Sequence, residues 1–139
     1  MGNLQSFAKV SYESIQTILS NKTKTILMCT LDKENERYAI EKTIAIENEE
    51  NYINDMIKSG TYDVIIILYG ENMYDETIIK KYNQLKKLGF KNCYIYFGGL
   101  FEWLLLQDIY GVETFPTNDT PINGCLKFKP KCKNPILYY

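Results

Sequence analysis

The position in this chain at which chemistry would be expected is the short segment Tyr69-Gly-Glu-Asn-Met-Tyr-Asp75. It follows the apolar run Asp63-Val-Ile-Ile-Ile-Leu68 and precedes a helical pattern, so it connects a predicted buried strand to the start of a helix. At this position of α/β proteins, anions bind and catalytic side chains gather. The segment contains no Cys, Ser, His, Lys or Arg, so the side chains that usually act as nucleophiles or anion ligands are missing there.

The acidic residues of this segment allow two interpretations. Glu71, Asp75 and Glu76 could gather a cation, but carboxylates at the start of a helix more often accept backbone hydrogen bonds and favour the helix dipole. We therefore predict that they cap the helix, and we predict no metal ion and no other cofactor. Gly70 is predicted to be a turn glycine with a positive φ.

The types of residue elsewhere narrow the chemistry further. The chain has no histidine, which removes the commonest general base and metal ligand, and Arg37 is its only arginine. Cys29 and Cys93 lie in strand-like runs, which is typical of small buried hydrophobic residues. Cys125 and Cys132 lie in a loop-like tail, where they form a poor zinc site and could form a disulfide only in an oxidising compartment.

Length and composition indicate a single globular domain covering residues 1–139. The 139 residues are 45% hydrophobic and carry a net charge of -1, which favours neither nucleic acid nor lipid as a partner. No apolar run is long enough to cross a bilayer, and the first residues lack the apolar core of a signal peptide. We expect an intracellular, cytoplasmic protein.

The first half of the chain shows alternating helix and strand patterns. Ser11 can cap a helix over 12–19, and residues 25–31 form a strand-like run. Apolar alternation within 38–46 predicts a short second strand. A helix is predicted over 49–58, ended by Gly60.

The second half contains the best-defined helix. Asp75 is its predicted N-cap and Gly89 its end, with one apolar face formed by Ile78, Ile79, Tyr82, Leu85 and Leu88. A strand over 93–97 and a helix over 100–109 follow. Trp103 and the leucines of 104–106 could form an interaction ridge, but a core helix explains them better.

Four prolines after residue 115 predict an extended C-terminal tail over 116–139, outside a core of about 10–115. In this tail four lysines alternate around Phe128, as in a basic strand or arm, and a solvated face is the simpler account: Lys127, Lys129, Lys131 and Lys133. The order of elements predicts an α/β fold with a mainly parallel sheet of about four or five strands, helices on both faces and residues 64–68 at its centre.

Two segments resemble the rhodanese family, whose superfamily includes cell-cycle phosphatases. Leu85-Lys-Lys-Leu-Gly-Phe-Lys-Asn92, a strand, and Gly98-Gly-Leu-Phe-Glu-Trp103 are similar to the family's Leu-Gly-Phe helix end and its Gly-Gly-x-x-x-Trp helix start. Ile40-Glu-Lys-Thr-Ile-Ala-Ile46 resembles the family's Ile-x-x-Ala-x-x-Ile segment more loosely. The resemblance covers about residues 10–115.

The resemblance implies a degenerate site. Rhodaneses place a catalytic Cys directly after the third main strand, in a loop that holds an anionic persulfide, and the related phosphatases add a loop Arg. If Tyr69 matches the aromatic residue before that Cys, Gly70 stands at the nucleophile position and Asp75 near the Arg. An Asp that usually follows the family's first strand is replaced by Cys29 or Thr30. No catalytic residue is then expected in the degenerate loop formed by Gly70, Glu71, Asn72, Met73, Tyr74 and Asp75.

The N-terminus fits a lipidation pattern. Met1-Gly-Asn-Leu-Gln-Ser6 places Gly2 and Ser6 where N-myristoylation requires them, so Gly2 is a lipidation candidate. With only Lys9 as a nearby base, one acyl chain would give weak, reversible membrane association.

Two classes of function remain open from the sequence. One is a catalytically inactive rhodanese-like module that binds a protein partner or scaffolds an assembly. The other is a sulfurtransferase that moves thiosulfate or persulfide sulfur with a displaced cysteine.

Overall fold

The computed structural model of the chain describes residues 7–21 and 24–131. The predictions for Gly2, Cys132 and Lys133 lie outside the described residues.

A three-stranded parallel sheet forms the centre of the fold. The strands are β1 (Thr25–Cys29), β2 (Ile65–Tyr69) and β3 (Cys93–Tyr96), in the order β1-β2-β3. Ile67 of β2 pairs with Leu27 on one side and Tyr94 on the other. The four residues from Ile66 to Tyr69 are all buried, because helices cover both faces of the sheet. The predicted α/β class and the central position of this strand are confirmed.

Single backbone bridges extend the sheet at both edges. Lys9 forms a parallel bridge with Ile95 beside β3, where the Val10 N–H donates to the Ile95 carbonyl at 3.0 Å. Thr43 forms a parallel bridge with Leu27 beside β1. These contacts bring the number of chain segments across the sheet to five.

The predicted strand over residues 38–46 is wrong. Its start belongs to a 3-10 helix, Glu36–Tyr38, and its last residue opens a helix. Between them Lys42 has a φ of 70°, which turns the backbone out of an extended course. The N–H of Ile40 donates to the Tyr69 hydroxyl at 2.9 Å, and the N–H of Ile46 donates to the Glu36 carboxylate at 2.5 Å. Side chains therefore accept hydrogen bonds from backbone N–H groups that a strand would use to pair with a neighbouring strand.

Four α-helices flank the sheet: α1 (Tyr12–Ser20), α2 (Ile46–Ser59), α3 (Thr77–Lys87) and α4 (Gly99–Tyr110). α2 ends as predicted at Gly60, whose φ of 71° suits a residue without a Cβ. Ser11 stands at the N-cap of α1 but makes no side-chain capping bond. Leu88 was predicted on the apolar face of α3, yet it follows the last helical residue and is 48% exposed.

Two apolar layers cover the sheet. One lies between the sheet and α3, and its buried residues include Ile78, Tyr82, Leu85 and Phe90. The other includes Trp103 and Leu104 of α4, so both belong to the core as expected of a core helix. The Trp103 ring lies 4.9 Å from that of Phe115, and its Nε1 donates to the Pro116 carbonyl at 3.2 Å.

The C-terminal residues up to Lys131 pack onto this second layer. They include a 3-10 helix, Gly124–Phe128, which contacts α4. Phe128 is only 2% exposed, and its ring lies 6.1 Å from that of Tyr38. The contribution of the tail to the core was not visible in the sequence, because one aromatic residue among lysines has no periodic pattern.

Replacing Phe128 by Ala should lower the free energy of unfolding by about 3 kcal/mol, since the change leaves a cavity in the core. Leu126 in the same short helix is 67% exposed, so Leu126→Ala is the matched control and should change stability by less than about 0.5 kcal/mol. Urea unfolding followed by Trp103 fluorescence measures both. Equal stability of the two variants would show that Phe128 does not contribute to the core.

Candidate functional site

The candidate site lies where the chain leaves β2. Tyr69 ends this strand and is fully buried, and its hydroxyl accepts the Ile40 N–H and shares a 2.6 Å hydrogen bond with Thr43 Oγ1. Burial raises the pKa of Tyr69 well above its ordinary value, so the phenol stays neutral. The last residue before the loop is therefore an anchor that joins β2 to the segment over 40–43.

Asp75 organises the loop between Tyr69 and α3. One oxygen of its carboxylate, Oδ2, accepts a hydrogen bond from Thr30 Oγ1 at 2.9 Å and one from the Glu71 N–H at 3.3 Å. The other, Oδ1, accepts the Thr77 N–H at 3.0 Å and the Thr77 hydroxyl. The prediction of Asp75 as N-cap is wrong by one residue, because Glu76 holds that position and makes no side-chain capping bond, while Asp75 accepts the N–H of the first helical residue, Thr77. The same carboxylate connects the exits of two neighbouring strands.

The expectation that Gly70 has a positive φ is wrong. Positive values occur at other glycines but not at this one. A Cβ placed on Gly70 would instead lie 2.8 Å from Asp75 Cγ and 2.8 Å from Thr30 Oγ1. The absence of a side chain is required by the close approach of these two groups and not by the backbone conformation.

The start of α4 holds the other side of the loop. The N–H of Leu100 donates to the Gly70 carbonyl at 2.9 Å, and the N–H of Phe101 donates to the Glu71 carbonyl at 2.8 Å. These donors belong to the first turn of the helix, the part that often binds anions. Here the loop backbone occupies them.

An open cavity of about 840 Å³ lies beside the loop. Its acidic side chains are Asp32, Glu71, Asp75 and Glu76, and its basic ones are Lys127, Lys129 and Lys131. Asn72 joins the two sides, because its Nδ2 donates to the Phe128 carbonyl at 3.1 Å. The three lysines remain exposed, as a solvated face would be, but they also line this cavity.

Burial and neighbouring charges shift the pKa of one carboxyl in the cavity. Partial burial, and then the nearby Asp32 and Asp75, raise the pKa of Glu71 above its ordinary value, while Lys127 opposes this shift. Met73 and Tyr74 of the loop over 70–75 are exposed. Within residues 7–21 and 24–131, no group of three His, Cys, Asp or Glu side chains is arranged to hold a metal ion.

The described cysteines lie in the strands and the C-terminal segment, and Cys29 pairs in the sheet with Tyr69, the residue just before the loop. Cys29 and Cys93 are both buried, as predicted. Burial raises the pKa of the Cys29 thiol to about 11 and also raises the pKa of Cys93. Cys125 is half-buried and, like the other two described cysteines, free. The disulfide considered between Cys125 and Cys132 falls partly outside the described residues.

Sequence reasoning missed the contact between Thr30 and Asp75. A usable signal was present, because Thr30 directly follows β1 and the loop directly follows β2. The carboxyl ends of adjacent parallel strands meet at one edge of a sheet, so their next residues are neighbours.

Comparisons with known proteins give a fold but no family match. No protein-family model and no curated protein matches the chain. Among solved structures, the rhodanese-like domain of the Alr3790 protein from Anabaena sp. aligns with a TM-score of 0.58 at 18% identity, over 96% of this chain and 92% of that one. The single-domain sulfurtransferase RDL2 of Saccharomyces cerevisiae aligns with a TM-score of 0.53 at 16% identity, over 78% and 98%.

A third neighbour is the As-Sb reductase of Leishmania major, with a TM-score of 0.53 at 16% identity over 76% of this chain and 79% of that one. Together these similarities show that the fold is rhodanese-like. At such identities they show the fold alone, so the function has to be argued from the site.

The close approach at Gly70 leads to a test by double-mutant cycle. Gly70→Ala should lower the free energy of unfolding by about 1–3 kcal/mol, because its Cβ overlaps the Asp75 carboxylate. In an Asp75→Ala background the same change should cost at least about 1 kcal/mol less. Urea unfolding of the four proteins gives the coupling energy. A coupling of zero would mean that the two residues do not contact each other.

Proposed function

We propose that this chain is a catalytically inactive rhodanese-like protein that acts as a binding or scaffolding module. The observation that carries the proposal is the place of the Asp75 carboxylate. It lies against Gly70, the residue that the resemblance to rhodaneses assigns to the nucleophile, and the loop itself supplies no Cys, Ser or His. A glycine has no side chain that could attack sulfur or phosphorus.

The electrostatics of the loop support the same proposal. Stabilising a persulfide or phosphate anion requires free donors or positive charge close to the reacting atom. In this loop the Asp75 carboxylate accepts the Thr30 hydroxyl and the Glu71 N–H, and the loop carbonyls accept donors from α4. Asp32 and Glu71 add negative charge to the same cavity. A substrate anion would have to compete with the Asp75 carboxylate and the loop carbonyls for these hydrogen-bond donors.

The rival function, sulfur transfer through a displaced cysteine, finds little support in the thiols. A reactive cysteine is exposed and has a lowered pKa. Cys29 and Cys93 are 1% exposed each, and the pKa of each thiol is raised by burial. Both cysteines of the strands are thus poor nucleophiles.

Purified protein should transfer no sulfur from thiosulfate to cyanide and should hydrolyse no phosphate ester above the buffer rate. The reason is the missing nucleophile together with the negative charge of the loop. Colorimetric thiocyanate and phosphate assays measure both activities. Turnover that Cys29→Ser or Cys93→Ser abolishes would establish the rival function.

Thiol labelling gives an independent control for this assay. At pH 8, iodoacetamide should modify Cys29 and Cys93 of the native protein far more slowly than after unfolding in urea, as peptide mass spectrometry can show. Rapid native labelling of either residue would contradict the argument from burial.

We also propose weak association with membranes through an acyl chain on Gly2. The described residues contain no helix that is long and apolar enough to cross a bilayer. The support for an anchor is the N-terminal sequence Met1-Gly-Asn-Leu-Gln-Ser6. A single chain would give reversible binding, with an association constant of about 10⁴ M⁻¹.

Co-expression with an N-myristoyltransferase should therefore increase the intact mass by one myristoyl group, and Gly2→Ala should abolish the increase. Sedimentation with neutral liposomes should then recover part of the acylated protein and little of the variant. An unchanged mass of the unsubstituted chain would rule out the anchor and leave the binding module without it.

A further inference from the structure

α4 is apolar on two opposite sides. Its inner side consists of core residues, among them Leu100, Trp103 and Leu104. Leu105 and Ile109 are four residues apart, which places them on one outer stripe of the helix, whereas Phe101, one turn earlier, is half-buried and packs against the core. A helix of a globular protein normally presents polar residues on the side away from the core.

This outer stripe is accessible to solvent among the described residues. Leu105 is 39% exposed and Ile109 is 63% exposed, and Val112 just after the helix is 52% exposed. We call these three residues, with the neighbouring Asp108 and Glu113, the α4 surface. Leu126, on the short helix that packs against α4, is exposed as well.

All charged residues in the stretch of sequence around α4 are acidic. From Asn92 to Leu126 the sequence contains no lysine and no arginine. Its acidic residues are Glu102, Asp108, Glu113 and Asp119, and within the described ranges only Asp119 among these four forms an ion pair, with Arg37. Glu102 accepts a hydrogen bond from the Tyr96 hydroxyl at 2.6 Å. Asp108 and Glu113 therefore lie beside the apolar stripe without an ion-pair partner among the described residues.

We propose that the α4 surface binds a basic amphipathic helix of a protein partner. The apolar stripe offers contacts to leucine-type anchors at helical spacing, and the carboxylates beside it complement lysines and arginines that flank such anchors. This inference rests on the proposed binding function and names the chemistry of its partner.

Charge also decides between this partner and two other occupants. In a two-fold dimer through the same surface, each copy would bring its Asp108 and Glu113 to the same interface, so like charges would meet. Membranes that carry anionic lipids would repel the same carboxylates. A basic helix is the occupant for which both the apolar and the charged parts are complementary.

The probe for this proposal is a fluorescein-labelled synthetic helix of about 18 residues, built from Leu on one face and Lys elsewhere. A second helix with Glu in place of every Lys is its matched control. Fluorescence anisotropy with the full chain should show binding of the Leu/Lys helix at least about tenfold tighter than that of the Leu/Glu helix.

Two pairs of protein variants locate the binding site. Leu105→Gln with Ile109→Gln removes the apolar stripe and should weaken binding at least about tenfold. Tyr52→Gln with Leu88→Gln, at exposed positions on α2 and just after α3, should change it less than about twofold. Asp108→Lys with Glu113→Lys should weaken binding comparably, and Glu50→Lys with Asp55→Lys on α2 is its control. Near-ultraviolet circular dichroism verifies that each variant keeps its fold.

Equal affinity of the unsubstituted chain and the Leu105/Ile109 variant would overturn the proposal, and so would equal affinity for the two helices. A concentration-dependent dimer that the Leu105/Ile109 variant loses, together with no binding of the Leu/Lys helix, would identify a second copy as the occupant instead. These results leave the sulfur-transfer assay unchanged, so failure of this inference and failure of the proposed inactivity remain distinct.

Discussion

The Asp75 carboxylate is the interaction on which the arrangement of the loop depends. This half-buried carboxylate accepts hydrogen bonds from Thr30, Glu71 and Thr77. Those donors come from the exit of β1, the loop after β2 and the first residue of α3. One side chain therefore fixes the relative position of three elements, and the space that it fills leaves room only for a glycine at position 70.

The second constraint is the contact between this loop and α4. The first turn of α4 donates hydrogen bonds to the carbonyls of Gly70 and Glu71. The loop is therefore held both by the Asp75 carboxylate and by the backbone of α4. In return, the loop fixes where α4 begins, and Trp103 then anchors the helix in the core. The orientation of the outer apolar stripe of α4 is thus linked to the geometry of the loop over 70–75.

Local patterns were sufficient to predict the central strand, α3 and the end of α2 at Gly60, because periodicity and a left-handed glycine depend on neighbouring residues. Tertiary contacts decided the rest. The conformation of the segment over 38–46 is determined by the hydrogen bond to the Tyr69 hydroxyl and by the turn at Lys42. Phe128 packs into a core whose other members are far away in the chain. The role of Gly70 depends on Thr30 and Asp75, which no local pattern connects. Its place as a lost nucleophile remains a prediction from the resemblance.

The cavity exists only while the C-terminal segment is packed against the rest of the fold, so it depends on a local folding equilibrium. Its lysine side is held in place by the burial of Phe128 and by the hydrogen bond from Asn72 to the Phe128 carbonyl. Segments at the edge of a fold can open with free energies below that of global unfolding. A molecule bound between the acidic loop and the lysines would stabilise the state in which the C-terminal segment is packed. By mass action it would slow amide hydrogen exchange in the last described residues.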